Sequence, residues 1–316
     1  MKIAVIESLQ LDRDYVLEQF DALRCEVDYY DNKPENDEEI IRRCSGAEIV
    51  VLVNTPLRRE VIEKLKNLKM VAVSFTGYDH VDIEACGERG IVVSNVPEYS
   101  TTSVAELVFG MIISLMRQIP QCDSALREGK GSTGLMGTEL MGKTMGVIGT
   151  GKIGKRVCEI ALCFGMRVLA YSRTEKEEIK SKGVRYTSLE ELLRESDVVS
   201  IHLPLNRQTE KLIGERELSM MKSGAILVNA ARGKIVDTTA LVKELERGRI
   251  YACLDVFDIE PPLPESHPVI KTKNTLLAPH VGYYTVEALQ RRLKVTVENI
   301  KAFMEGKPVN VVTQKA

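Results

Sequence analysis

Three strand-like segments of this chain each end in a polar residue of a different type. Val228-Asn-Ala-Ala-Arg232-Gly-Lys-Ile-Val-Asp237 closes an apolar run with a small-residue turn and an arginine. Leu254-Asp255-Val-Phe-Asp-Ile-Glu260-Pro-Pro brings carboxylates, and Leu276-Leu-Ala-Pro-His280-Val-Gly282 brings a histidine. An arginine offers bidentate geometry to a carboxylate. A histidine can pass a proton to or from a carbonyl oxygen, and a glutamate can orient its ring. The set suits a carbonyl substrate that also carries a carboxylate. Each member has a plainer reading: an arginine after a strand as a surface charge, a glutamate before two prolines as a loop residue. His202 also ends an apolar run, so spacing alone does not choose between His202 and His280.

A second constellation precedes these. Gly149-Thr-Gly151-Lys152-Ile153-Gly154 follows an apolar run and opens an amphipathic stretch with Ile153, Val157, Ile160 and Phe164. In a strand–loop–helix context the first glycine permits the turn, the second lets backbone approach a pyrophosphate, and the third lets helix pack on strand. The following strand, Met166–Ser172, completes the order expected of a dinucleotide site. An NAD site usually presents a carboxylate roughly 20 residues past the loop, to accept from the ribose 2′-OH. Here the strand ends in Ser172, Arg173 and Thr174. Hydroxyls and a guanidinium suit a 2′-phosphate, so the reading is NADP preference with NAD possible. The competing reading is a solvated Arg173 beside an NAD site that uses Glu175.

The elements that must carry these groups alternate along the chain. Apolar runs at 3–6, 49–53, 70–73 and 91–93 are separated by helix-forming segments, and a second alternating series begins at Thr144. Such alternation favours parallel sheets covered on both faces. Between the series lies Ser100-Thr-Thr-Ser-Val-Ala-Glu. Ser103 and Glu106 stand at the capping-box offset before an apolar stretch to Met116, which reads as a helix apolar almost all round, to be buried between domains or subunits. Five glycines between Gly129 and Gly142 read as a loop. In the last helix Val286, Leu289, Leu293, Val297, Ile300 and Met304 form one apolar stripe, and Gly306 is placed to stop it.

Composition sets the frame. With 316 residues, two domains are expected, each long enough to bury a core. Lys+Arg 43 against Asp+Glu 45 leaves a net charge of −2, no electrostatic case for nucleic acid or an anionic membrane. No apolar run approaches the roughly 18–20 residues of a membrane span, and the N-terminus reads as a first strand rather than a signal peptide. Seven cysteines without a CxxC read as free thiols in a reducing cytosol, so the expected location is cytoplasmic.

Together, GTGKIG, NAARGKIVD, LDVFDIEPP and LLAPHVG resemble the D-2-hydroxyacid dehydrogenases. Phe75-Thr-Gly-Tyr-Asp-His-Val-Asp, Glu88-Arg-Gly-Ile-Val-Val-Ser-Asn-Val-Pro and Ser103-Val-Ala-Glu extend the resemblance back to about residue 48. It implies an α/β fold of two doubly wound parallel-sheet domains. A Rossmann-type cofactor domain at 101–284 would be inserted in a flavodoxin-like substrate domain at 1–100 and 285–316. It implies that Arg232 binds the substrate carboxylate and polarises the ketone. His280 would be the acid in reduction and the base in oxidation, paired to Glu260. Thr76 and Gly77 would offer backbone N–H groups to the carboxylate. The cofactor would be lined by the glycine loop with Lys152 and Ile153, by Ser172, Arg173 and Thr174, and by His202, Leu203, Pro204 and Thr209. Ala230, Ala231, Arg232, Asp255, His280 and Gly282 complete that lining. The substrate would be a small 2-keto acid such as glyoxylate, hydroxypyruvate or pyruvate, the assembly a homodimer, and no metal is expected.

The chain departs from the family pattern in places. Cys253 stands where glycine is common, no Trp follows Arg127, and Tyr283-Tyr284 replaces the usual Ser or Ala. The tyrosine pair looks more like D-lactate dehydrogenases, whereas Ser-Arg-Thr looks like NADPH-linked glyoxylate or hydroxypyruvate reductases. The tyrosines could equally be interface packing. Two alternatives remain: a nucleotide-sensing corepressor on the same fold, which typically carries extra tails, and a phosphoglycerate-type dehydrogenase, for which Arg58 and Arg59 would be candidate phosphate contacts.

Overall fold

The alternation of short β-branched runs with amphipathic segments becomes strand–helix alternation in the computed structural model, which describes residues 1–313. The first unit comprises Met1–Ser100 and the chain from Tyr284 onward. It opens with β1 (Lys2–Val5), α1 (Arg13–Asp21), β2 (Glu26–Tyr29), α2 (Asp37–Arg43), β3 (Ile49–Leu52), α3 (Arg59–Ile62), β4 (Met70–Val73), α4 (Ile83–Glu88) and β5 (Val92–Ser94). Its five strands lie in the order β2-β1-β3-β4-β5, all parallel, which is the flavodoxin-type arrangement. β3 and β4 are buried at every residue, as strands covered on both faces must be.

The second unit, Thr101–Tyr283, begins with α5 (Thr101–Met116) and α6 (Ile119–Arg127). Then follow β6 (Thr144–Ile148), α7 (Lys152–Cys163), β7 (Arg167–Tyr171), α8 (Glu177–Lys180), β8 (Arg185–Tyr186), α9 (Leu189–Glu195) and β9 (Val198–Ile201). The unit continues with α10 (Glu215–Met220), β10 (Ile226–Asn229), α11 (Thr238–Glu246), β11 (Tyr251–Leu254) and β12 (Thr275–Leu277). The seven parallel strands run β12-β11-β10-β9-β6-β7-β8. Counted from β6, that is the Rossmann order with one further strand on the β11 edge. The order reverses between β6 and β9, so the ligand-binding crevice belongs at the C-terminal ends of those strands. Leu227, Leu254, Val199 and Ile148 build the core on one face of this sheet, and Val147, Val157, Ala161 and Val168 build it on the other.

Two sequence expectations need correction. α5 begins at Thr101, so Ser103 lies within its first turn and cannot be its N-cap. Within the chain Ala105, Val108 and Ile112 of this helix are buried, while Leu107, Ile113, Leu115 and Met116 are half-buried. α12 (Val286–Met304), which belongs to the first unit, is rotated from the expected stripe. Val286 is 64% exposed, and the buried face includes Arg292, Thr296 and Asn299 beside Leu289, Leu293 and Ile300. These polar side chains have partners in their own unit: Thr296 Oγ1 meets Ser74 Oγ at 2.8 Å, and Asn299 Nδ2 donates to Asn95 O at 2.8 Å. A hydrophobicity count cannot foresee polar side chains buried against specific partners. Gly306, at φ +73°, ends the helix as expected. Among the described residues no single helix is long and apolar enough to cross a membrane.

Candidate active site

β6 delivers the chain into the glycine loop. Gly149 has φ +93°, and a Cβ there would stand 2.5 Å from His202 O. Gly154 packs so closely that a Cβ would overlap Gly149 O. Gly151 is the exposed N-cap of α7, and nothing lies within 4 Å of where its Cβ would project. The first and third glycines therefore shape the cradle, and the second leaves room for an anion at the start of a twelve-residue helix. That arrangement fits a dinucleotide pyrophosphate. Lys152 and Ile153 form the first turn above it.

Ser172, Arg173 and Thr174 follow β7, with Arg173 and Thr174 exposed. Glu175, the alternative ribose acceptor, forms an ion pair with Lys180 at 2.8 Å. Sequence reasoning missed a link between this segment and the glycine loop. Tyr186 Oη donates to Thr150 Oγ1 at 2.9 Å and accepts from Lys176 N at 3.1 Å. The two-residue strand β8 that carries Tyr186 gives almost no periodic signal.

His202, Leu203 and Pro204 follow β9, whose last pairing continues as His202 N donating to Ile148 O at 2.7 Å. His202 Nε2 lies 2.8 Å from Ser200 Oγ, and burial pushes its imidazole down to about 4. A neutral ring paired to a hydroxyl is a poor proton carrier. Thr209 uses its hydroxyl to close the adjoining turn, donating to Pro204 O at 2.6 Å.

β10, β11 and β12 are neighbours, and their C-terminal ends carry Arg232, Asp255 and His280. Asn229, buried at the end of β10, folds the turn that presents Ala230, Ala231 and Arg232: its Oδ1 accepts from Ala231 N at 3.1 Å and its Nδ2 donates to Arg232 O at 2.9 Å. Asp255 is 1% exposed, and its carboxylate accepts from Val281 N and Gly282 N, each at 2.8 Å. Burial pushes this carboxyl up from its ordinary value, against the pull of those two N–H groups. His280 N donates to Asp255 O at 2.8 Å, and His280 itself has φ +57°. Asp255 thus holds the turn that aims the imidazole.

His280 Nδ1 lies 2.8 Å from Glu260 Oε2. The carboxylate fixes the Nδ1–H tautomer, which makes Nε2 the position for proton exchange. The Tyr283 ring stands edge-on to His280, with centroids 5.6 Å apart. The two histidines thus differ in their partners, a hydroxyl for His202 and a carboxylate for His280. In the first unit, Thr76 and Gly77 follow β4, and the segment is tied to the chain after β5 by Thr76 Oγ1 donating to Val96 O at 2.9 Å. Among the described residues no cluster of His, Cys, Asp and Glu could hold a metal ion.

Comparison with known proteins gives the family. The model for "D-isomer specific 2-hydroxyacid dehydrogenase, NAD binding domain" matches residues 109–282. The chain is 41% identical over 313 residues to a glyoxylate reductase of Aeropyrum pernix, covering 93% of each protein. A solved acyclic imino acid reductase in complex with NADPH and D-Arg has a TM-score of 0.90 at 33% identity, covering 99% of this chain and 100% of that one. D-lactate dehydrogenase from Aquifex aeolicus, complexed with NAD and lactic acid, has a TM-score of 0.88 at 32% identity, with 100% of both chains covered. The chain belongs to the D-isomer specific 2-hydroxyacid dehydrogenases, NAD(P)-linked oxidoreductases that interconvert 2-keto and 2-hydroxy acids.

Proposed function

We propose that this enzyme reduces a small 2-keto acid, namely glyoxylate, hydroxypyruvate or pyruvate, with NADPH preferred over NADH. The observation that carries the chemistry is the 2.8 Å contact of His280 Nδ1 with Glu260, at the C-terminal end of the same sheet whose strand β10 presents Arg232. Arg232 binds the substrate carboxylate and polarises the ketone. His280 donates the proton held at Nε2 to the carbonyl oxygen, and Glu260 stabilises the imidazolium and fixes its direction. Both cationic groups bind the developing alkoxide better than the ketone, which lowers the barrier. The bound nicotinamide supplies the hydride. Thr76 and Gly77 are proposed to add backbone N–H donors to the carboxylate.

The cofactor would rest on Gly149, Gly151, Lys152, Ile153 and Gly154, with His202, Leu203, Pro204, Thr209, Ala230, Ala231, Asp255 and Gly282 around it. Ser172, Arg173 and Thr174 would receive the 2′-phosphate. Pairing of Glu175 with Lys180 supports this preference, because it offsets the nearby carboxylate that would repel the phosphate. The NADPH complex of the related imino acid reductase supports it too. We also propose a homodimer, since Ile119, Leu126, Met136 and Met141 expose large apolar side chains on and after α6. A cytoplasmic location is proposed from the free state of all seven cysteines. Initial rates of NADPH and NADH oxidation against the three keto acids test the reading: faster turnover with NADPH is expected, and equal or better rates with NADH would contradict the cofactor assignment.

A further inference from the structure

Glu260 lies on a bent, mostly exposed stretch between β11 and a 3-10 turn at Pro268–Lys271. Its side chain is 66% exposed, against 14% for its partner His280. An exposed loop carboxylate needs its backbone held if it is to keep one geometry on an imidazole.

Two contacts hold that backbone. His267 Nε2 lies 2.9 Å from Asp258 Oδ1. His267 is only 6% exposed, stands edge-on to Phe257 with centroids 6.1 Å apart, and is fixed by its N donating to Pro264 O at 2.8 Å. The adjoining Val269 is part of the core. On the other side, Phe257 and Asp258 lie against Gly233, where a Cβ would overlap the Phe257 carbonyl. Gly233 directly follows Arg232. The chain from 258 to 267 is thus closed at its base by a hydrogen bond between a buried imidazole and a carboxylate two residues before Glu260. The same base rests on the backbone of the Arg232 turn.

We propose that His267 and Asp258 form a clamp that positions Glu260 on His280, making both of them positioning residues for proton transfer. With Nε2–H given to Asp258, His267 ties the loop ends together and removes the freedom that Glu260 would otherwise have. Neither side chain touches the reacting atoms. The clamp's effect passes through Glu260, and this sets the test.

This inference rests on the reading of His280 and Glu260 as the proton-transfer pair. The experiment is a double-mutant cycle on the full-length enzyme, with kcat and KM for glyoxylate, the Kd for NADPH, and the isotope effect on kcat from NADPH deuterated at the transferred position. His267→Leu is expected to lower kcat about 10- to 100-fold, with little change in the NADPH Kd and a larger isotope effect. His267→Gln, whose amide nitrogen can reach Asp258, restores most of the loss. In a Glu260→Ala background, His267→Leu costs less than about twofold more, because the group it positions is already gone. Equal losses in both backgrounds, or no rescue by glutamine, would overturn the clamp. Asp258→Ala, which removes the acceptor, gives the same decision if His267→Leu does not fold. Should Glu260→Ala and His280→Ala themselves leave kcat unchanged, the reading of the pair fails instead, and the clamp falls with it.

Discussion

A carboxylate oxygen of Asp255 accepts the backbone N–H of Gly282 at 2.8 Å, and a Cβ on residue 282 would stand 2.9 Å from that same oxygen. A side chain at 282 would therefore displace this carboxylate oxygen from its bond to the turn. The second carboxylate oxygen takes Val281 N, so both oxygens are committed to the turn after His280. Asp255→Asn replaces one acceptor with an NH₂ that faces a donor. Loss of about 1–3 kcal/mol of stability is expected in urea unfolding, with at least a tenfold fall in kcat. An unchanged unfolding midpoint would mean that Asp255 does not hold the turn.

His202 makes stability depend on pH. Its imidazole is held down to about 4, from an ordinary 6.5, by burial. Between those values the unfolded chain binds the proton and the folded chain does not. Stability present above pH 6.5 is therefore lost as pH falls toward 4, by up to about 3 kcal/mol. Urea midpoints at pH 7 and pH 4.5 check this: the drop should be smaller in His202→Gln than in the parent.

Arg232→Ala should raise KM for the keto acid and lower kcat/KM by about 100-fold, with the NADPH Kd unchanged. Arg232→Lys should recover only part, because an ammonium cannot reproduce the bidentate contact. Fluorescence titration with NADPH separates the two roles. A loss of nucleotide affinity without a change in keto-acid KM would assign Arg232 to the cofactor instead.

Lys180 tests the electrostatics beside the 2′-phosphate contacts. Lys180→Met releases Glu175 from its ion pair, and the freed carboxylate should disfavour NADPH. The expected result is a rise of several-fold in KM for NADPH, little change for NADH, and a weaker effect at high salt. Identical changes for both cofactors would place Glu175 away from the 2′ position.

The parallel sheets, the glycine loop and the placement of Arg232 and His280 just past strand ends were legible because each has a local signature: β-branched runs, glycine spacing, and polar residues where apolar runs stop. What was not legible depends on contacts distant in sequence. His202 and His280 have similar local settings, and only their partners, Ser200 and Glu260, separate them. Tyr186 and His267 carried no motif, and the role of Asn229 within NAARGKIVD was not legible, since each acts by a hydrogen bond that appears only after folding. The rotation of α12 has the same origin, with Thr296 and Asn299 buried on specific polar partners.

The most direct test compares the turnover of glyoxylate and NADPH by the parent enzyme and by His280→Ala, with NADPH affinity measured on both. The parent should turn over, and the variant should lose about 10²- to 10⁴-fold in kcat while binding NADPH as before. Full activity in His280→Ala, or tight NADPH binding by the parent without turnover of any keto acid, would contradict the assignment of His280 as the proton donor of a 2-keto acid reductase.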